Sequence, residues 1–566
     1  MEEQQGYQNV GGSVAELTFN DGVTLSIRPD DIVVFVGPNN VGKSRALKDI
    51  YTLSGGKKGS IVVIDAKFNM KDGPIHDLLS KVAVGWKNGS YMQYQFLGKS
   101  FNISQNVKNF AGQNNFGDAS DAFVLNLTTE NRLLVCKPPE AVNRNEARPH
   151  PIHYALFDDD HRIWLKDNFE KAFGTEIIPD AYFGKTVPLR MGKGINIDQF
   201  TGDASSLAMK CGELLSHYPQ IQDQGDGIRS FTGILLYLMM RHINIFLIDE
   251  PESFLHPPQA RIMGRIIGGT IRSDQQAFIS THSEDIIQGL LSVCPERVKL
   301  IRITRSGNKN GFAFLENQKI LDVWKDPLLK YSNILDSLFH NTVVLCESDS
   351  DCNLYSIVND HIKEKEGTYS ETLFIHCGGK HRMAKTAQAL LALRVNVRLV
   401  ADFDVLDSEQ KVFREITDAF GIDWNTIQAD YDKVVQAAST LKKAASTEEV
   451  RKEIVSILDN AAGETLTKSE VERVRNATKA VFPWSKLKSE GESGIPSDEG
   501  RNAFCALDGV LKTHGIHIVP IGELERFFPS VGGHGPVWVD RVLQSYPDMN
   551  DPAYDKIVDF VLSLNL

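Results

Sequence analysis

Residues 31–54 read DIVVFVGPNNVGKSRALKDIYTLS. The run from Ile32 to Val36 has no polar alternation, so it describes a strand buried on both faces, and it passes directly into a glycine-rich turn and then into helix-forming residues. Strand, turn and helix within about 20 residues is the P-loop arrangement. Gly37 to Ser44 satisfies GxxxxGK[ST] in full. In such a loop Gly37, Asn40 and Gly42 shape a turn whose backbone N–H groups wrap phosphate. Lys43 reaches the β and γ oxygens, and Ser44 offers its hydroxyl to Mg²⁺. ATP with Mg²⁺ is the expected cofactor.

Working outward, AELTFNDGVTLSI (15–27) alternates apolar and polar residues and predicts a two-stranded opening. Residues from about 55 to 215 mix Gly, Asn and aromatics without a repeat and give no clear reading. Beyond Ile221 the pattern sharpens into a long helix, a strand INIFLID, a helix PPQARIMGRIIGGTI and a strand QAFISTH, which is α/β alternation. In IFLIDEPESFLHP the strand delivers Asp249 and Glu250 to its C-terminal edge, Asp249 to hold Mg²⁺ through water and Glu250 to orient and deprotonate the attacking water. His282, in STHS after the next strand, is placed to contact a γ-phosphate.

Near KDPLLKYS a second α/β unit begins. Its strands TVVLC, TLFIHC, VRLVAD and IHIVPI, separated by helices, predict a parallel sheet. Glu347 ends one strand, with Asp349 and Asp351 in the following turn, and Asp402 and Asp404 end another. Several carboxylates at neighbouring strand ends repel one another unless cations lie among them, which points to Mg²⁺ or Mn²⁺ and to a two-metal phosphodiester hydrolysis. From Asp407 to about Pro496 runs a long Ala/Lys/Glu-rich helical insertion, including QAASTLKKAASTEEVRKEIVSIL, that reads as a solvated helical hairpin.

The full chain is 566 residues, enough for two or three domains, and its net charge of −12 provides no global attraction for a phosphate backbone. DNA binding therefore needs a local patch or metal ions. Seven scattered cysteines without CxxC argue against a disulfide framework or zinc knuckle, and with MEEQQGYQNV at the start they predict a cytoplasmic chain without a signal peptide. The apolar run Phe231 to Ile248 contains Arg241, His242 and Asn244 and reads as buried helix then strand, with no membrane span.

The first set of residues resembles the ABC-type ATPase heads of the SMC, recombination-repair and OLD (overcoming-lysogenization-defect) families. That resemblance implies a dimer sandwiching ATP. A signature from the second subunit would cover the γ-phosphate, matched here by Gly225, Asp226, Gly227 and Ser230 in DQGDGIRSF, which departs from the common LSGGE form. The second set resembles the TOPRIM domain of type II topoisomerases, primases and OLD nucleases. Glu347 and Asp351 match its EGxSD, Asp402 and Asp404 its DxD, with further likeness in HCGGK (Gly378, Gly379, Lys380), WSKLKSEGESGIP and VPIGELERF. The resemblance makes Glu525, or its neighbour Glu523, the late acidic ligand. Lys488, or Lys486, is the candidate cation for transition-state charge. Ser348 stands where the family has glycine.

These expectations combine into an ABC/SMC-like ATPase domain at 1–335, with a poorly matched insertion at about 55–215, and a TOPRIM domain at 338–566 with a helical insertion at about 408–496. The implied protein is an ATP-hydrolysing, metal-dependent DNA endonuclease. The family commonly serves bacterial defence against phage, beside partner proteins or nucleic acid. The competing reading is an ATP-driven DNA-binding scaffold or sensor with an inactive TOPRIM site, prompted by Ser348 and by the acidic overall charge. A topoisomerase or primase would need a strand-passage domain with a nucleophilic tyrosine or a zinc module, and neither is evident.

Overall fold

A computed structural model describes residues 10–110, 112–197, 199–201, 203–307, 309–315, 318, 325, 334–407, 410–441, 447–461, 463, 465–479 and 483–566. The chain divides into two compact units, Met1–Leu321 and Asp322–Leu566.

The first unit is built on a six-stranded sheet in the order Lys309–Phe314, Val298–Ser306, Ile32–Val36, Gln276–Ser280, Ile245–Asp249, Val124–Leu127. Every pairing is parallel except that of Lys309–Phe314, which closes one edge antiparallel. Ile32–Val36 and Gln276–Ser280 are buried at every residue, as a sheet covered on both faces requires. Because the strands run the same way, the segments that leave them gather at one edge: the phosphate loop after Val36, the acids at Asp249 and Glu250, and Ser280 to His282.

Two buried polar side chains fasten neighbouring layers to this sheet. Asp49, on the helix Lys43–Ser54, accepts hydrogen bonds from the backbone N–H of Ile61, Val62 and Val63 at 3.0, 2.6 and 3.2 Å. This fixes the strand Val63–Met70, which pairs antiparallel with Gly12–Phe19 beside Thr24–Ser26. Gln276 exchanges two 2.8 Å hydrogen bonds with the backbone of Val14, so the small sheet is held by a buried amide as well as by packing. The stretch at 55–215, opaque in sequence, forms a second small sheet (Val84–Asn88, Tyr91–Phe96, Lys99–Ser104) and a hairpin (Glu176–Pro179, Leu189–Gly192), and contributes Val124–Leu127 to the main sheet. The helix Asp226–Leu238 and strand Ile245–Asp249 account for the apolar run, and among the described residues no helix is long and apolar enough to cross a membrane.

The second unit is a four-stranded parallel sheet ordered Thr372–His376, Thr342–Cys346, Asn396–Ala401, Ile516–Ile518. One face buries the helix Asp349–Lys365 together with the C-terminal helices Pro536–Ser545 and Asp555–Ser563 around Tyr355, Trp538 and Phe560. The solvated-hairpin expectation is corrected in part. The helices Gln410–Ala419 and Trp424–Thr440 bury Phe413, Trp424 and Tyr431 as a mutual aromatic cluster, and Tyr431 donates to the carbonyl of Asp407 at 3.0 Å. The helix Thr447–Asp459 is mostly exposed, as a solvated element should be. Alanine-rich composition alone does not separate these cases, because Ala suits a close helix contact as well as a wet helix face.

Candidate nucleotide site and metal centre

The phosphate loop adopts the backbone its sequence demands. Gly37 has φ 140°, and a Cβ there would lie 2.1 Å from the carbonyl oxygen of Ile303, so the neighbouring strand excludes any side chain. Asn40 (φ 60°) and Gly42 (φ 101°) complete a left-handed turn that starts the helix at Lys43. The Lys43 ammonium is buried and donates to the carbonyls of Gly37 and Pro38 at 2.8 and 2.6 Å. Burial pushes it down to about 8, although Glu250, Glu252 and Asp249 pull the other way. Among the described residues this buried ammonium rests on carbonyls with no ion-pair partner, and a nucleotide's β and γ oxygens would supply one. Ser44 follows on the exposed side of the first turn.

At the edge of the neighbouring strands, Ser280 donates to the carboxylate of Asp249, and the Glu250 N–H donates to the Ser280 carbonyl at 2.9 Å. Glu250 takes a left-handed φ of 45°, a conformation that costs of order 1–3 kcal/mol in a non-glycine residue and persists where surroundings enforce it. Arg132 does much of that enforcing: fully buried, it donates to the carbonyls of Asp249 and Glu250. Sequence reading missed it, because it lies in the stretch that carried no pattern. His282 Nε2 stands 3.7 Å from the Glu250 carboxylate, and its backbone N–H donates to Glu252 at 2.6 Å. Burial, with Lys43 nearby, lowers His282 to about 4, so the ring is neutral at physiological pH. Glu252, two residues beyond the expected acid, is a second missed contributor.

The signature residues are only partly where the resemblance puts them. Gly225 opens the helix Asp226–Leu238, and Asp226 is exposed and paired with Arg229 at 3.0 Å. At Gly227 a Cβ would meet the Phe254 carbonyl oxygen at 2.6 Å, so this glycine lets the helix sit against the turn after Glu250. Ser230 is a correction. It is wholly buried, with no hydrogen-bond partner for its hydroxyl among the described residues, because the apolar face of the helix carries it inward. A hydroxyl so placed does not reach a second chain's phosphate.

In the second unit, Glu347, Asp402 and Asp404 each offer a carboxylate oxygen within 4.8 Å of the others. Two strand ends do this, Thr342–Cys346 and Asn396–Ala401, which are adjacent and parallel. Lys488 Nζ bridges Asp402 at 2.9 Å and Asp404 at 3.5 Å, while Lys380 Nζ lies 3.3 Å from Asp404 and 2.7 Å from Asp407. Of the two candidate lysines it is Lys488 that lies among these carboxylates, while Lys486 lies 3.9 Å from Glu490. Placement of Lys488 depends on two glycines from the quoted segments. A Cβ at Gly522 would sit 2.1 Å from the Lys488 carbonyl oxygen, and one at Gly491 would sit 2.0 Å from that of Pro520.

Burial, then Asp402, raises Glu347 to about 7, and the same causes raise Asp351 to about 7. Asp402 is also raised by burial, partly offset by Lys488. For Lys488, burial works against the charge, but Asp402 and Asp404 outweigh it and hold the ammonium above its ordinary range. Glu347 and Asp351, buried beside Asp402, retain protons near neutrality, and the carboxylates gathered here are hard oxygen donors that fit Mg²⁺ or Mn²⁺. Asp351 and Glu525 line a cavity of about 570 Å³ shared with Glu347, Asp402 and Lys488. Glu523 borders it too but is paired with Arg526 at 3.2 Å. Asp349 is exposed and bonded to Asn353.

Ser348 has a physical account. Its φ of −126° needs no glycine, and its hydroxyl caps the helix Asp349–Lys365 by accepting from the Asp351 N–H, while Asp351 accepts from the Ser348 N–H at 2.8 Å. This capping box holds the side chain on the helix end and orients Asp351.

Comparison with known proteins adds sequence likeness. Residues 179–287 match the family model described as "AAA domain, putative AbiEii toxin, Type IV TA system". The chain is 25% identical over 170 residues to the Old nuclease of Escherichia phage P2, an alignment spanning 29% of this chain and 28% of that protein. Among solved structures, the SMC head domain from Thermotoga maritima is 12% identical with a TM-score of 0.27, covering 54% of this chain and 99% of that one. The Smc head with an extended coiled coil from Pyrococcus furiosus is 11% identical at 0.30, covering 56% and 99%. The sequence matches are thus to an AAA domain within the first unit and, over less than a third of either chain, to the Old nuclease.

Proposed function

We propose that this chain is an ATP-hydrolysing, divalent-metal-dependent DNA endonuclease of the OLD type, acting in bacterial defence against phage. The observation that carries the nuclease reading is the convergence of Glu347, Asp402 and Asp404 within 4.8 Å, beside the ammonium of Lys488. Mg²⁺ or Mn²⁺ bound there would supply Lewis acidity for phosphodiester hydrolysis. Those three carboxylates would hold the cation, with Asp351 and Glu525 available to a second. Lys488 lies ready to offset charge that develops on the phosphate, and Asp351 is oriented by its cap. The likeness to the Old nuclease supports this assignment.

In the ATPase unit, Lys43 and the loop N–H groups bind phosphate, Ser44 and Asp249 would hold Mg²⁺, and Glu250 accepts the proton of the attacking water beside a neutral His282. Two chains close over ATP through the exposed Gly225–Gly227 end of the signature helix. The partners are DNA, a second copy of the chain, and a defence-system protein or nucleic acid.

Nicking of a supercoiled plasmid across a Mg²⁺ and Mn²⁺ series tests the proposal. Glu347→Ala and Asp402→Ala should each abolish nicking with ATP binding intact. Wild-type protein that nicks nothing, with or without nucleotide, returns the chain to the scaffold reading, and variants that cut like wild type move the chemistry elsewhere.

A further inference from the structure

The carboxylate cavity has a wall that neither metal chemistry nor the ATPase reading uses. Residues Gly532 to Gly535, with His534 between two glycines, line it together with Glu347, Asp351 and Asp402. Both ends of this loop are tied down. Trp538, fully buried, donates from Nε1 to the Val531 carbonyl at 3.0 Å, and Arg541 donates to the Gly532 carbonyl at 3.0 Å. Gly533 (φ 110°) and Gly535 (φ 74°) hold left-handed backbone on either side of His534, so the chain reverses around that one side chain. Gly532 is different. It lacks a left-handed φ, and a Cβ there would have no neighbour within 4 Å, so neither backbone nor packing calls for glycine. The imidazole of His534 is exposed and has no hydrogen-bond or ion-pair partner among the described residues.

The charge of the cavity says what such a wall is for. Its charged lining is Glu347, Asp351, Asp402, Glu523 and Glu525 with Lys488 and Arg526, and Arg526 is already paired with Glu523. A DNA phosphate drawn in by cations still meets this mainly acidic lining, and its remaining oxygens need donors elsewhere in the cavity wall. The anchored loop offers an imidazole N–H at the cavity, and its glycines carry no side chain to block a ligand's approach. We propose that Gly532–Gly535 is the substrate-gripping wall of the cleavage site, and that His534 contacts the DNA by donating a hydrogen bond to a non-bridging phosphate oxygen, in the space that Gly532 leaves open. This inference rests on the nuclease reading and deepens it.

The test uses the full-length protein with Mn²⁺. Nicking rates are measured against DNA concentration for wild type, His534→Ala, His534→Asn and Gly532→Ala, with Mn²⁺ binding and thermal melts of each. His534→Ala should lower kcat/KM about ten- to a hundredfold, the range for one hydrogen bond to a charged group, with Mn²⁺ affinity and melting unchanged. His534→Asn, which keeps a donor, should recover part of the loss. Gly532→Ala, harmless to the fold, should raise KM. An unchanged kcat/KM in His534→Ala, from a wild type that cuts, overturns the gripping role and leaves the nuclease reading standing. Loss of Mn²⁺ binding in that variant overturns it also, by making the ring a metal ligand. A wild type that cuts no DNA removes the nuclease reading and this inference with it.

Discussion

Lys488 is a cation set among acids, and its removal should be felt in the fold before it is felt in catalysis. Its Nζ is 2.9 Å from Asp402 and 3.5 Å from Asp404, with about a third of the side chain exposed. At an effective dielectric near 20, a contact of that length is worth roughly 5 kcal/mol of direct attraction. Desolvation of the ammonium and solvent screening offset more than half, leaving about 2 kcal/mol to be lost in Lys488→Met. For a unit of this size that corresponds to a melting shift of about 4–8 °C. The sign of the metal effect is the sharper test. Without Lys488 the acids lack part of their counter-charge, so Mn²⁺ should raise the melting temperature of the variant by more than it raises that of wild type. Scanning calorimetry of the full chain, in EDTA and in excess Mn²⁺, reads both quantities. Equal melting of the two proteins in EDTA, or an equal rise with Mn²⁺, would refute the claim that Lys488 balances these carboxylates.

Further outcomes follow from the same structure. Glu347, raised to about 7 in the folded chain, keeps a proton that the unfolded chain, with an ordinary value of 4.5, releases. Its cost to stability is therefore absent below about pH 4.5, grows as pH rises to about 7 and stays constant above. Metal-free Glu347→Gln should match wild type near pH 4 and exceed it by about 1–3 kcal/mol at pH 8, measured by urea unfolding, and a difference that shrinks with rising pH contradicts the burial argument. In the ATPase unit, Lys43→Ala should lose ATP binding, whereas Glu250→Gln should bind ATP and hydrolyse it at least a hundredfold more slowly. Mixed dimers of Lys43→Ala with Asp226→Arg should recover part of the activity, and no recovery in verified mixed dimers argues against shared sites.

Much of this molecule is local in its chemistry and so legible in one dimension. GPNNVGKS requires its own turn, since φ values of 140° and 101° at Gly37 and Gly42 are open to glycine and the intervening Asn40 is among the residues that tolerate the left-handed region. Unbroken apolar runs ending in acids announce parallel strands that deliver carboxylates to their C-terminal edges, and this holds for Asp249, Glu347 and Asp402 alike. The stretch at 55–215 was opaque because its strands are short and mostly antiparallel, and because Val124–Leu127 gains its identity from pairing with residues 245–248, far along the chain.

What tertiary structure alone decided were the relations between segments. Arg132 holds the backbone of Asp249 and Glu250 across 117 and 118 residues, and nothing around it in sequence marks it. The choice of Lys488 over Lys486 rests on which face of one helix turns toward Asp402, and glycines at 491 and 522 set that by allowing close backbone approach. Ser230 fits its motif by spacing yet faces the core, because helical periodicity, not motif order, determines which side chains are buried. Ser348, a departure from the family pattern in sequence, is an ordinary helix cap in space. Residue types and spacing fix which chemistry a segment can perform, since backbone turns, strand burial and charge are properties of neighbours in the chain. Which side chains meet is fixed by sheet order and helix rotation, and those arise from the packing of the whole unit.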